Sequence, residues 1–255
     1  MPAPENRFKS ALGKGRPLYG LWVALASPHV AELCAGTGYD WLLIDGEHGP
    51  NDIPLLASQV QAMAAGPAQP IVRLPAADPR LVRQALDFGC QTLMIPMVET
   101  AAVAEDLARA SRYPPRGVRG IGASLTRATG FGAIADYVDT ADDQICLILQ
   151  IESLAAIASL EEIASVPDVD VLFIGPADLA ADMGLKSTPG APEVVEAAID
   201  AIRRIKALGK PAGIMTVDPA MIAAAVDAGV DMIGIGSDVG ALMKGARDLL
   251  ASTKG

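Results

Sequence analysis

Eight short apolar runs, each followed by a segment of helical spacing, fill this chain from end to end without a break in composition. The runs are Tyr19 to Leu25, Asp40 to Asp45, Pro70 to Leu74, Thr92 to Met97, Ile145 to Ile151, Val169 to Ile174, Pro211 to Met215 and Asp231 to Gly236. Runs that are apolar at nearly every position and end in turn residues read as strands buried on both faces, which is the signature of a parallel sheet. The segments between them carry helix signals. Ser27-Pro28, Asp78-Pro79 and Asp218-Pro219 each pair an N-cap with a proline at the first helical position, and Gly36, Gly89, Gly209 and Gly229 end helices. Helices are expected over Asp52 to Ala65, Thr100 to Arg112, Ser153 to Ser165, Glu193 to Leu208 and Val239 to Ala251 as well. Eight strand–helix units in about 250 residues predict a single (β/α)8 TIM barrel of α/β class over 1–255. A doubly wound open sheet is the alternative, and no Gly-x-Gly-x-x-Gly follows the first run to support it.

Composition narrows the function classes. Lys+Arg is 20 against Asp+Glu 30, a formal charge of −10, which argues against nucleic acid and anionic membrane as partners. Cys34, Cys90 and Cys146 are scattered in apolar contexts and read as small buried residues of a reducing compartment. The polar stretch from Met1 to Gly13 has no apolar signal core, and no run of about 18 uncharged apolar residues occurs, so the expected location is the cytoplasm.

A TIM barrel builds its active site at the C-terminal ends of its strands. Polar residues there are Asp45 and His48 after the second strand, Arg73 on the third, Gln150 and Glu152 on the fifth and Asp178 after the sixth. Each has a structural alternative. Asp45 could cap the following turn, Arg73 could pair with a barrel acid, His48 could be a surface residue, and Glu152 and Asp178 could cap helices. Together they form one mouth. Two carboxylates suit a hard divalent cation, a guanidinium suits a developing oxyanion, and a histidine moves protons at neutral pH. This set fits making and quenching an enolate beside a carboxylate. No lysine falls within a strand, which disfavours a Schiff base. His29 reads as a first-turn surface residue. The turn at Gly234 to Ser237 is a tight turn or a phosphate cradle, and the long Gly-, Ser- and Thr-rich stretch from Tyr113 to Gly132 is expected to be functional.

At these residues the chain resembles the metal-dependent (class II) pyruvate aldolases that include 4-hydroxy-2-oxoheptanedioate aldolase and 2-dehydro-3-deoxyglucarate aldolase. The blocks that carry the resemblance are Trp41-Leu42-Leu43-Ile44-Asp45-Gly46-Glu47-His48, Arg112-Tyr113-Pro114-Pro115-Arg116-Gly117-Val118-Arg119-Gly120, Gln150-Ile151-Glu152 and Phe173-Ile174-Gly175-Pro176-Ala177-Asp178-Leu179. The resemblance implies an aldolase that reversibly cleaves a 4-hydroxy-2-oxo acid into pyruvate and an aldehyde through a pyruvate enolate. Glu152 and Asp178 would hold Mg²⁺, Mn²⁺ or Co²⁺, and Gln150 with the backbone at Ala177 and Asp178 would hold substrate. His48 would be the base, Arg73 would stabilise charge, and Asp87 would raise the basicity of His48, with Asp45 as a rival partner. It also implies a role in aromatic compound catabolism and a homohexamer, a trimer of dimers with the last helix exchanged between subunits. An oxaloacetate decarboxylase, another enolate-forming carbon–carbon lyase, and a non-catalytic 2-oxo-acid-binding barrel are the alternatives. After the seventh run Met215-Thr216-Val217-Asp218, and after the eighth Gly236-Ser237-Asp238, leave the acceptor aldehyde open.

Overall fold

The computed structural model describes residues 1–186 and 188–254. Strands β1 (Leu18–Val23), β2 (Trp41–Asp45), β3 (Gln69–Arg73), β4 (Thr92–Ile95), β5 (Cys146–Ile151), β6 (Val171–Ile174), β7 (Ala212–Met215) and β8 (Met232–Ser237) pair in sequence order, all parallel, and β8 closes on β1. The (β/α)8 TIM barrel expected from the alternation is the observed fold.

Strand alternation divides the apolar residues into two cores. Leu42, Ile44, Val72, Leu93, Ile95, Leu147, Leu149, Leu172 and Ile174 point outward and pack under the helices. Trp22, Trp41, Leu43, Ile71, Met94, Ile148, Val171 and Phe173 point inward and fill the barrel. The large rings fit because some facing strand positions carry no side chain. A Cβ on Gly20 would collide with the Trp41 indole. Trp22 meets Trp41 and Phe173 with ring centroids 5.8 Å apart in both pairs. The bottom is plugged by Phe8, fully buried on the short helix Arg7–Ala11 and edge-on to Trp41. Burying one such ring stabilises by about 1.5–3 kcal/mol, which is why a polar N-terminal segment stays docked. Asn6 fixes it further, donating through Nδ2 to Thr92 Oγ1 at 3.0 Å and to the Gln144 carbonyl at 2.9 Å.

Helices Pro28–Ala35, Ile53–Ala62, Pro79–Asp87, Ala101–Ala110, Pro192–Ala207 and Pro219–Asp227 lie where capping signals place them. Three expectations change. The helix expected over Ser153 to Ser165 is two short helices, Leu154–Ala158 and Leu160–Ser165, broken at Ser159, whose hydroxyl donates back to the Ala155 carbonyl. A helix Pro176–Asp182, absent from the helices expected above, follows β6. Gly234 and Gly236 belong to β8 itself rather than to a turn. The Asp238 carboxylate accepts N–H groups of Ala24, Leu25 and Val239.

The stretch Tyr113 to Gly132 links a helix end to the start of β5, so it lies at the N-terminal end of the barrel, away from the mouth. Arg112, just before this stretch, and Arg119, within it, are buried there. Arg112 is buried against Asp168 and Asp170, and Arg119 is buried with its guanidinium 4.5 Å from the Tyr113 ring centroid. Helix Asp238–Ser252 touches the barrel only through its start, leaving Leu242, Leu249 and Leu250 exposed. No helix among the described residues is long and apolar enough to cross a membrane.

Candidate active site

Asp45, Arg73 and Gln150 follow Leu43, Ile71 and Ile148 by two positions, so each continues an inward-facing row one step above the apolar filling. With Glu152, two residues beyond Gln150, they form the polar floor of the mouth. Arg73, Gln150 and Glu152 line a cavity of about 530 Å³ there, with His48, Ala177 and Asp178 around them.

One side of the mouth is a closed ion-pair network. Arg73 donates through Nε to Asp45 Oδ1 at 3.0 Å and through Nη2 to Oδ2 at 2.7 Å. Its Nη1 lies 2.8 Å from Glu47 Oε2. Asp45 Oδ1 also accepts the backbone N–H groups of Glu47 and His48. Both structural readings of these two residues hold, since Asp45 caps its turn and Arg73 pairs with a barrel acid. Burial would raise the Asp45 carboxyl, but the Arg73 hydrogen bonds and charge, with the two N–H donors, hold it below the ordinary carboxylate range. Glu47 goes the other way. Burial raises it against the pull of Arg73 and His48, and the charges of Asp45 and Asp178 add to the rise.

Glu47 escapes a reading of the sequence because it lies in a loop, off the strand alternation. The signal that could have found it is Arg73 itself. A buried guanidinium offers five N–H donors, and one carboxylate cannot satisfy them all.

His48 is exposed, with 69% of its side chain open, and its Nε2 stands 4.0 Å from Glu47 Oε2. Neither expected partner meets the ring. Asp45 reaches only the backbone N–H of His48. Asp87 ends the helix Pro79–Asp87, which runs away from the mouth, and pairs with Arg119 at 2.9 Å. The fold of one chain does not bring Asp87 to His48.

The other side of the mouth is incomplete. Glu152 is 2% exposed. Its Oε1 accepts the Met97 N–H at 2.8 Å and its Oε2 accepts Gln150 Nε2 at 2.9 Å. Met97 holds φ of 53°, the left-handed region a side chain rarely adopts, just past the end of β4. Gly175 is required opposite, because a Cβ there would strike the Glu152 carboxylate. Burial above all, reinforced by Asp178 and Glu47 and opposed by the Met97 N–H and Arg73, pushes Glu152 up to about 7. Asp178, in the first turn of helix Pro176–Asp182, is exposed, and its carboxylate makes no hydrogen bond among the described residues. Neither acid is a helix cap. Ser153 caps the helix after Glu152, accepting the Ala156 N–H at 3.1 Å, and Gly175 occupies the cap before Asp178. The N–H groups of Ala177 and Asp178 belong to a first helical turn and have no acceptor one turn back within the helix.

The donor set suits a hard divalent cation. Asp45, Glu47, Glu152 and Asp178 surround one arginine, which leaves surplus negative charge concentrated at Glu152 and Asp178. Among the described residues no group of three or more His, Cys, Asp or Glu could hold a metal without help, so such an ion would draw further oxygens from substrate and water. Among the described residues no strand carries a lysine, so the barrel interior offers no amine for an imine.

The model of the HpcH/HpaI aldolase/citrate lyase family matches residues 18–245, the whole barrel and most of the last helix. The chain belongs to that family. A relative named hydroxypyruvate/pyruvate aldolase from Pseudomonas aeruginosa is 48% identical over 255 residues, all of this chain and 95% of the relative. One of the same name from Deinococcus radiodurans is 48% identical over 260 residues, covering 100% of this chain and 94% of the relative. The crystal structure of an HpcH/HpaI aldolase/citrate lyase family protein from Burkholderia cenocepacia superposes with a TM-score of 0.93 at 41% identity, over 98% of this chain and 100% of that one. The likeness to the HpcH/HpaI family thus covers both halves of the mouth.

Proposed function

We propose that this chain is a divalent-metal-dependent aldolase that reversibly splits a 4-hydroxy-2-oxo acid into a 2-oxo acid and an aldehyde. The donor is pyruvate or hydroxypyruvate, the pair named in its relatives. The observation that carries the reading is Glu152. A buried carboxyl beside a second acid, offset only in part by an Arg73 guanidinium already committed to Asp45 and Glu47, calls for a further positive partner. Glu152 and Asp178 would hold Mg²⁺, Mn²⁺ or Co²⁺, which would supply Lewis-acid polarisation of the 2-oxo acid.

The chain's own residues do the rest. The first-turn N–H groups of Ala177 and Asp178 receive the substrate carboxylate, and Gln150 fixes the Glu152 carboxylate. His48 takes a proton from C3 of the 2-oxo acid. Carbon–carbon bond formation joins C3 to the aldehyde carbon, and the proton passes to the aldehyde oxygen. Arg73, held rigid by Asp45 and Glu47, presents its remaining N–H donors without reorganising during the step. Asp87 supports His48 of a second copy rather than its own, in an oligomer whose exchanged last helix covers the exposed Leu242 and Leu249.

Exchange of the C3 protons of pyruvate in deuterated water, followed by NMR, tests the reading without the physiological aldehyde. Exchange should occur with Mg²⁺ or Mn²⁺, stop on chelation, and be lost in Glu152→Ala. Exchange that persists without metal, or none at all with it, sinks the reading.

A further inference from the structure

His48 stands on a loop, yet a base must keep its place to within about 0.5 Å. Two side-chain amides in series hold that loop from outside the mouth. Asn51 donates through Nδ2 to the carbonyl of Asp45, the last residue of β2, at 2.7 Å. Its own N–H donates to the Gly49 carbonyl at 2.7 Å. Gln59 holds Asn51 in turn, donating through Nε2 to Asn51 Oδ1 at 2.6 Å. The fit is tight at Gly49, where a Cβ would collide with the Asp45 carbonyl and Asn51 Nδ2.

Gln59 is at odds with its surroundings. It is fully buried on helix Ile53–Ala62, on the side that carries Leu56 and Val60 into the outer core. Its Nε2 also donates to the Leu55 carbonyl at 3.2 Å, but its Oε1 is buried with no hydrogen-bond partner among the described residues. Turning the amide over gives no remedy. The Asp45 carbonyl can only accept, so Asn51 must aim its NH2 there and its oxygen at Gln59, which must answer with its own NH2. The direction of the relay thus forces the orphaned acceptor. Such an atom opposes folding, and an apolar side chain of the same size would remove that penalty. A group that opposes folding, and whose one long-range contact leads to the loop of the base, fits a role in positioning.

We infer that Gln59 and Asn51 are positioning residues for His48, and that Gln59 fixes the Gly46 to Asn51 loop while lowering the stability of the fold. The role given to His48 rests on the aldolase reading above. Asp45 anchors the same loop from the mouth side through the N–H groups of Glu47 and His48, so the relay supplies the second anchor.

Gln59→Met keeps the length of the side chain and removes both ends of the amide. Its urea midpoint should equal or exceed the parent's, while pyruvate C3 proton exchange at saturating Mg²⁺ should slow by about 10-fold or more. KM for pyruvate should stay within about twofold, since the 2-oxo acid is held elsewhere. Backbone amide hydrogen exchange over Gly46 to Asn51 should speed up in the same variant. Asn51→Asp keeps the acceptor for Gln59, loses the donor to Asp45, and should slow turnover alike. The double variant should be no slower than the slower single one, because a relay is broken only once. A role in packing alone predicts the reverse pattern, a lower urea midpoint with the parent's turnover in the folded fraction, and that result overturns the inference. So does unchanged amide protection of the loop in Gln59→Met. A parent that exchanges no pyruvate protons would instead remove the aldolase reading, and amide protection would still decide whether the relay holds the loop.

Discussion

The two sides of the mouth are built from the same materials and end in opposite states. On the β2–β3 side, Asp45 and Arg73 meet through two hydrogen bonds, Glu47 takes a third donor, and the Asp45 carboxyl is held low. On the β5–β6 side, Glu152 is as deeply buried as Asp45 but has only neutral donors, and its carboxyl rises to about 7. Burial disfavours both charges. What differs is contact with a cation: Arg73 hydrogen-bonds Asp45, and it acts on Glu152 only through its charge. The first side is complete when the chain folds and serves as a rigid frame. The second is left short of positive charge, and that deficit is what a metal ion and an anionic substrate can fill.

The largest effect expected from breaking this contrast comes at Glu152. Glu152→Gln keeps the size and the acceptor for Met97 but removes the charge, and should lower kcat by about 10³-fold or more through loss of the metal. Steady-state assay with saturating Mg²⁺ checks this, and activity within tenfold of the parent would mean the carboxylate is dispensable.

On the opposite side the expected loss is in stability. Asp45→Asn breaks a buried ion pair and leaves Arg73 with Glu47 alone, at a cost of about 3–5 kcal/mol in urea unfolding. If the variant unfolds with the parent's midpoint, the network is not what holds this wall. Arg73→Lys keeps the charge and loses the fork that spans Asp45 and Glu47. It should lower kcat by about 10²–10³-fold, the range for losing one oxyanion donor, and destabilise the fold as well. A rise in KM with kcat unchanged would recast Arg73 as a binding group for the substrate carboxylate.

The smallest effect is on pH dependence, and there the two acids should act with opposite sign. A carboxyl raised in the folded state binds its proton more tightly there. The Glu152 contribution to stability is therefore fully present below its unfolded pKa of about 4.3 and is lost as pH rises through about 7. Asp45, held low, contributes stability above its unfolded pKa of about 3.9 that is lost as pH falls through its lower folded value. Metal-free protein should lose roughly 1–3 kcal/mol across the Glu152 window, and Glu152→Gln should abolish that slope. Denaturant midpoints at a series of pH values, with and without Mg²⁺, measure both.

Much of this site is legible in the order of residues along the chain. The acids and the arginine at strand ends fall on the inward rows because strand side chains alternate with a period of two, and that alternation can be counted. Glu47 is not legible in this way, since a loop residue has no such phase and its partner Arg73 lies on the next strand. Asp87 could be named only through the family resemblance, and a single chain leaves it paired with Arg119 at the other end of its helix. The stretch from Tyr113 to Gly132 looks functional from its length. Counting elements would have placed it at the N-terminal end, because it follows a helix rather than a strand.

By itself the sequence determined the eightfold alternation, the buried character of each strand and the residues standing at strand ends. These follow from local preferences: apolar runs, N-caps and glycines that act over a few neighbouring positions. Only the tertiary structure decided which charges cancel. Whether Asp45 or Glu152 receives Arg73 depends on which strands are adjacent and on their register. Asp45 sits directly across from Arg73 in the β2–β3 pairing, while β5 faces β4 and β6, which bring Glu152 no cation. Electrostatic compensation acts through distance in space, and that distance exists only once the barrel has closed.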